Sequence, residues 1–198
     1  MLSLFDNKKI VCGVDEAGRG SLAGPVTAAA VILPKNYKNS FIKDSKKINH
    51  KERNHLYDEI LKSCVAYSII SIEAKKIDEI NILNASIKAM HLSINKLKVK
   101  PNYILVDGNK FKAFKKIPHK CVVKGDSKFL NIAAASILAK TYRDKLMENY
   151  HMKYPEYGWK DNNGYPTIRH RESLNKYGTV DIHRKTFKLY DGQTLLDF

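Results

Sequence analysis

Four carboxylates at the ends of apolar runs are the residues of this chain best suited to chemistry. Asp15 and Glu16 follow Ile10-Val11-Cys12-Gly13-Val14, Asp107 closes Tyr103-Ile104-Leu105-Val106, and Asp126 closes the run that begins at His119. Adjacent acids at the end of a buried strand are costly unless water, a base or a metal balances them. Strand ends at one edge of an α/β sheet are where such folds build sites. If these edges converge, four carboxylates crowd together and shift one another's pKa values. A divalent cation removes that repulsion, and hard oxygen donors in this number suit Mg²⁺ or Mn²⁺. Two such ions are a standard device for in-line attack on a phosphodiester. Each acid alone also has a plainer reading. Asp107 precedes Gly108, a common turn pair, and Asp126 stands where the N-cap of a following helix would stand.

After Glu16 come Gly18, Arg19, Gly20 and Gly24. Glycine admits positive φ and lets backbone N–H groups approach a ligand closely. The stretch reads as a turn able to wrap something, with a simple tight turn as the competing reading.

The elements that must position these groups follow an α/β pattern. Strands are expected over 9–15, 24–33, 64–72, 103–107 and 119–126. A helix starts near Asn49, with Leu56, Ile60 and Leu61 on one face. Residues 73–98 are helical with a break near 81–84, and Ile87, Met90, His91, Ile94 and Leu97 form the apolar stripe. A long alanine-rich helix spans roughly 127–150, residues 154–166 form a loop, and a short helix covers 167–176. Strands followed by strand–helix alternation predict a mixed sheet. No repeat or linker divides the chain, so residues 1–198 are read as one domain, with the last forty or so as a small C-terminal portion.

The totals bound the partner. The chain has 198 residues, 43% of them hydrophobic, which suits one sizeable core. Its 35 Lys+Arg against 20 Asp+Glu leave a charge of +15. Such an excess favours a polyanion, nucleic acid before an anionic membrane surface. Cys12, Cys64 and Cys121 are odd in number, far apart and apolar in context; they read as reduced core residues, not as a disulfide set. No signal peptide and no run of the ~20 apolar residues needed to cross a bilayer is present. A cytoplasmic, monomeric protein with no membrane partner is expected.

Taken together, the motifs resemble the type 2 ribonucleases H, and the ribonuclease HII family in particular. Gly13 through Pro25, with its Asp-Glu-Ala-Gly-Arg-Gly core, is similar to the family's first block, and Asp44-Ser45-Lys46-Lys47 to its second. Val106-Asp107-Gly108 resembles the third. Lys124-Gly125-Asp126, then Ile132 through Lys140 and Arg143-Asp144, resembles the long fourth. Gly164-Tyr165-Pro166-Thr167, His170 and His183-Arg184 resemble the last. The blocks run in order over nearly the whole chain.

The resemblance implies a ribonuclease H-like fold: a mixed five-stranded sheet flanked by helices, with a C-terminal helical portion over about 155–198 that contacts nucleic acid. It implies cleavage of the RNA strand of RNA–DNA hybrids and incision 5′ of single ribonucleotides embedded in duplex DNA. By position, Asp15, Glu16, Asp107 and Asp126 become the catalytic, metal-binding acids, served by two divalent ions. Gly18, Arg19, Gly20 and Tyr165 become the readers of the ribonucleotide, whose 2′-hydroxyl is the one group that distinguishes it from DNA. Lys46, Lys47, Lys140, Arg143 and His170 become candidate phosphate contacts, and Arg19 either a phosphate contact or a partner of a site carboxylate. Asp144 is read as half of a structural Arg-Asp pair within the long helix.

Asn162-Asn163 stands where relatives carry a basic or histidine-containing segment, and Thr186 where serine is usual. The end, Gln193-Thr194-Leu195-Leu196-Asp197-Phe198, resembles peptides that dock onto sliding clamps; a core-capping tail is the alternative. Two further functions compete with the nuclease. A non-cleaving hybrid-binding module would lack an acid, and all four are present. A resolvase or transposase would need different acid spacing and no Gly-Arg-Gly turn. The sister type that cuts hybrids but not single ribonucleotides usually carries an extra N-terminal domain, and this chain starts fourteen residues before Asp15.

Overall fold

The computed structural model describes residues 2–6, 8–42 and 48–190. Lys46, Lys47 and the Gln193–Phe198 tail therefore lie outside the described residues. Five strands, β1 (Val11–Ala17), β2 (Val26–Ile32), β3 (Ala66–Ile72), β4 (Tyr103–Asp107) and β5 (His119–Val122), form one sheet in the order β3-β2-β1-β4-β5. β1 and β2, and β2 and β3, pair antiparallel; β1 and β4, and β4 and β5, pair parallel. This is the mixed five-stranded sheet expected. Among the described residues six helices accompany it: α1 (His50–Ser63), α2 (Ala74–Ile80), α3 (Ile82–Lys96), α4 (Leu130–Lys153), α5 (Trp159–Asn162) and α6 (Ile168–Tyr177).

Strand alternation divides the core. Cys12, Val14, Ala28 and Ala30 face α3, packing with Met90 and Ile94. Ala29 and Val31 face α4 and α1, packing with Ala133, Ala134, Leu138, Leu56 and Ile60. β2 is buried along its whole length. Its alanines keep both faces shallow enough for a helix on each side. Gly13 takes this furthest: a Cβ there would fall 2.1 Å from the Asn131 backbone carbonyl. Helix α4 therefore rests directly on β1. Because α4 is 24 residues, about 36 Å, long, this contact sets the height of every residue along it.

Local signals fix the helix ends. Asn49 and Glu52 form a reciprocal capping box on α1. Asn81, at φ 62°, ends α2 and caps α3, which is the break expected near 81–84. Two expectations are corrected. β5 stops at Val122, and Asp126 lies in a 3₁₀ turn, Gly125–Ser127, instead of at a strand end. The N-cap of α4 is Phe129, not Asp126. The loop read over 154–166 also contains a 3₁₀ turn, Pro155–Tyr157, and α5.

Candidate active site

Three backbone routes deliver the acids to one cleft. The parallel register sets Val14 opposite Val106, so Asp15 and Asp107 occupy adjoining positions, Asp107 at the end of β4 and Asp15 within β1, which runs past the expected end at 15 and stays paired with β2 through Ala17. The Asp107 Oδ1 accepts the Gly125 N–H at 2.7 Å, tying the end of β4 to the turn that carries Asp126. A Cβ at 125 would lie 2.4 Å from Ile132 Cδ1 and 3.3 Å from Asp107 Oδ1, so a side chain there would require Ile132 to shift. Asp15, Glu16, Asp107 and Asp126 consequently line one cleft with Gly18, Arg19, Gly20, Ser136, Lys140 and Tyr165.

Helix α4 runs along this cleft like a ruler. Ile132, Ser136, Lys140, Arg143 and Met147 recur at helical spacing and share one face. Ser136 hydrogen-bonds Asp15, Lys140 lines the cleft, and Arg143 and Met147 sit beneath the glycine turn. Ser136 was not among the expected site residues. Its signal was a polar residue inside an alanine and isoleucine run, four positions before Lys140.

The carboxylates are electrostatically crowded. Burial pushes the Asp15 carboxyl well above the ordinary range, and the neighbouring Glu16 and Asp107 push it further; Ser136 and the Glu16 N–H oppose the shift. Burial also raises Glu16, against the pull of Arg19 and with a push from Asp107. Arg19 Nη1 stands 3.3 Å from Glu16 Oε1. Of the two roles open to Arg19, the structure thus realises the pairing with a site carboxylate. Glu16 Oε2 is buried without a hydrogen-bond partner.

These features fit a hard cation: oxygen donors only, excess negative charge, and an orphaned buried carboxylate oxygen aimed at nothing else. The set is open in form. Among the described residues, no three His, Cys, Asp or Glu side chains are drawn together closely enough to enclose an ion.

The glycine turn is held from below by two arginines. Arg143 donates through Nε to Pro25 O at 2.8 Å, through Nη1 to Asn163 O at 2.9 Å and through Nη2 to Ala23 O at 3.1 Å. Arg184 donates through Nε and Nη2 to Gly24 O and through Nη1 to Arg19 O, at 2.9–3.0 Å. The turn also bonds the C-terminal portion directly, Leu22 N–H to Gly164 O at 2.7 Å and Gly24 N–H to Ile182 O at 2.8 Å. These links bring Tyr165 over the turn: a Cβ on Gly20 would lie 3.9 Å from its ring.

Three expectations change. Arg143 is 1% exposed and its guanidinium is spent on carbonyls, so it is an internal clamp and not a phosphate contact. His170 is fully buried, accepting from Trp159 Nε1 at 3.1 Å beside His183, and likewise presents nothing to a phosphate. Asp144 bonds Arg53 of α1 at 2.6 Å and stands 3.7 Å from Lys140, so the expected Arg-Asp pair joins two helices instead of lying within one. Lys140 is partly exposed and lines the cleft.

Comparison with known proteins agrees with this geometry. The family model described as Ribonuclease HII matches residues 12–190. A protein of Christiangramia forsetii named Ribonuclease HII is 55% identical over 198 residues, all of both chains. Among solved structures, ribonuclease H2 of Pyrococcus horikoshii superposes with a TM-score of 0.78 at 28% identity, covering 90% of this chain and 94% of its own. The Archaeoglobus fulgidus ribonuclease HII, solved as a complex with PCNA, also gives 0.78, at 27% identity, over 96% of this chain and all of its own.

Proposed function

The chain belongs to the ribonuclease HII family and is a ribonuclease H, and from that premise we propose that it incises duplex DNA 5′ of single embedded ribonucleotides as well as cutting the RNA strand of hybrids. One observation carries the reading: the four carboxylates share a cleft with the Gly18–Gly20 turn and Tyr165. Hydrolytic groups and a reader of the 2′-hydroxyl are thus side by side.

Asp15, Glu16, Asp107 and Asp126 would hold the divalent ions, Mg²⁺ or Mn²⁺. Two such ions, when bound, supply an activated water and stabilise the leaving 3′ oxygen. The remaining work falls to the chain. Ser136 orients the Asp15 carboxylate, and Arg19 offsets part of the charge on Glu16. Backbone groups of Gly18 and Gly20 can reach the 2′-hydroxyl because no side chain intervenes. The half-exposed Tyr165 ring packs against the sugar, and Lys140 faces a flanking phosphate. The products are a 5′-phosphate and a 3′-hydroxyl.

We read residues 1–198 as one catalytic domain of a cytoplasmic monomer, with the portion from about 155 gripping the duplex; Lys46 and Lys47 are retained as phosphate contacts. The PCNA complex of the Archaeoglobus relative supports a sliding clamp as partner; the Gln193–Phe198 tail is assigned to it from its resemblance to clamp-docking peptides. Deletion of those six residues should abolish clamp binding and leave cutting intact; unchanged clamp binding would sink that assignment.

The activity is tested on a DNA duplex with one internal ribonucleotide, with Mg²⁺ and separately with Mn²⁺, beside an all-DNA duplex and the Asp126→Asn variant. A single cut 5′ of the ribonucleotide, absent from both controls, is expected. Cutting only within long hybrids would remove Gly18–Gly20 and Tyr165 as readers. Tight binding without any cut would leave a hybrid-binding module.

A further inference from the structure

Residues 81–128, which include α3, β4 and β5, contain eleven lysines and two acids, and both acids are site carboxylates, Asp107 and Asp126. This quarter of the chain therefore carries +9 of the net +15. All eleven lysines are exposed, and among the described residues none forms an ion pair. The charge is uncompensated, and it falls on both edges of the sheet: Lys96 and Lys98 line a cavity against β3, whereas Lys110, Lys116, Lys120 and Lys124 belong to the β5 side. Lys110 follows Asp107 by three residues, Lys124 precedes Asp126 by two, Lys120 lies on β5, and Lys116 lies in the 108–118 loop that leads into it.

A second observation is independent of charge. Lys115 and Lys124 have φ of 52° and 54°, two of the four non-glycine residues with positive φ among the described residues. That conformation is rare for a long side chain and costs of order 1 kcal/mol or more. Both strained lysines lie on this face.

We propose that the β5 edge, from Lys124 down to Lys116, is a second nucleic-acid surface that binds the phosphodiester backbone of the duplex flanking the incision site. The inference rests on the nuclease reading, which makes a duplex the polyanion presented at the cleft. Lysines on an edge strand also block edge-to-edge pairing. That role needs charges only on β5, whereas these extend across the 108–118 loop and the turn beyond.

The test is fluorescence anisotropy in EDTA on a long ribonucleotide-bearing duplex, followed across salt concentration. The variant Lys110→Gln/Lys116→Gln/Lys120→Gln is compared with Lys35→Gln/Lys38→Gln/Lys62→Gln, an equal charge change on exposed lysines elsewhere. The first should lower the slope of log K against log salt by about 2–3, roughly 0.9 per lost phosphate contact, and the second should leave it unchanged. Should the triple variant fail to fold, Lys116→Gln alone should lower it by about 0.9. Equal effects in both sets, or none in the first, would overturn the proposal. Cutting of the same duplex by the wild-type protein in Mn²⁺ is scored separately. A protein that does not cut, yet loses slope with Lys110, Lys116 and Lys120 replaced, sinks the activity reading and keeps the surface.

Discussion

Gly18 lies so close to Arg143 that a Cβ on it would sit 2.0 Å from the guanidinium Nε. The turn that closes the cleft is thus seated on a buried cation 125 residues away in the chain. Gly18 also has φ of +91°, a conformation in which a side chain is strained even with space available.

Gly18→Ala should therefore fail twice, through strain and through displacement of Arg143. We expect a loss of about 2–4 kcal/mol of stability and incision reduced by more than an order of magnitude. Thermal melts and single-turnover incision measure the two effects. A variant with wild-type melting and wild-type incision would show that the turn tolerates a side chain.

Arg143→Lys keeps the charge but can reach only one of three carbonyls. Each buried acceptor left unpaired costs about 1–3 kcal/mol, so a drop of at least about 2 kcal/mol is expected without any nucleic acid present. A phosphate contact would behave oppositely, lowering the salt slope of binding while leaving the melt unchanged.

Asp15→Asn should abolish incision and stabilise the protein in EDTA by about 0.5–2 kcal/mol, because it removes a buried charge that its neighbours repel. Added Mn²⁺ should raise the melting temperature of the wild type and have much less effect on the variant. A variant less stable than the wild type in EDTA would mean that the carboxylates are balanced by something other than a cation.

The same crowding sets a pH dependence. The folded-state pKa values of Asp15 and Glu16 are raised, so the folded protein holds these protons to higher pH than the unfolded chain does. Their contribution to stability in EDTA is greatest below the ordinary carboxylate range and is lost as pH rises toward the folded values. Urea melts of wild type and Asp15→Asn across that range should diverge as pH increases.

His183 works in the opposite sense. Burial, and then the adjacent His170, lower it to about 4. The unfolded chain takes up a proton near pH 6.5 and the folded protein does not. This contribution is present above about 6.5 and is lost as pH falls toward 4. His183→Gln should flatten the acid limb of the stability curve between those values; an unchanged limb would place the imidazole in contact with water.

The acids, the glycine turn and most elements of the sheet are legible in the sequence, because each is written locally. Apolar runs ending in Asp15 and Asp107 have the period and length of strands. Asn49 with Glu52, and Asn81, mark helix ends within a few residues of themselves. The ordered blocks also sufficed to assign the family. Asp126 was placed at a strand end because Val123 and Lys124 continue the β5 pattern; the left-handed turn at Lys124 that ends it carries no sequence mark as clear as a glycine or proline.

Which charged groups face the cleft depends on how distant segments pack. Arg143 looked like a surface cation and His170 like a phosphate ligand, since a residue's type says what it can bond and not which way it points. The arginines are spent on main-chain carbonyls of remote segments, Pro25 lying 118 residues from Arg143 and Arg19 165 from Arg184, while His170 is enclosed by Trp159 and His183 of its own C-terminal portion. A backbone carbonyl is the same in every residue, so no pattern in the sequence announces such a contact. It exists once the sheet register and the seat of α4 on Gly13 have brought those segments together.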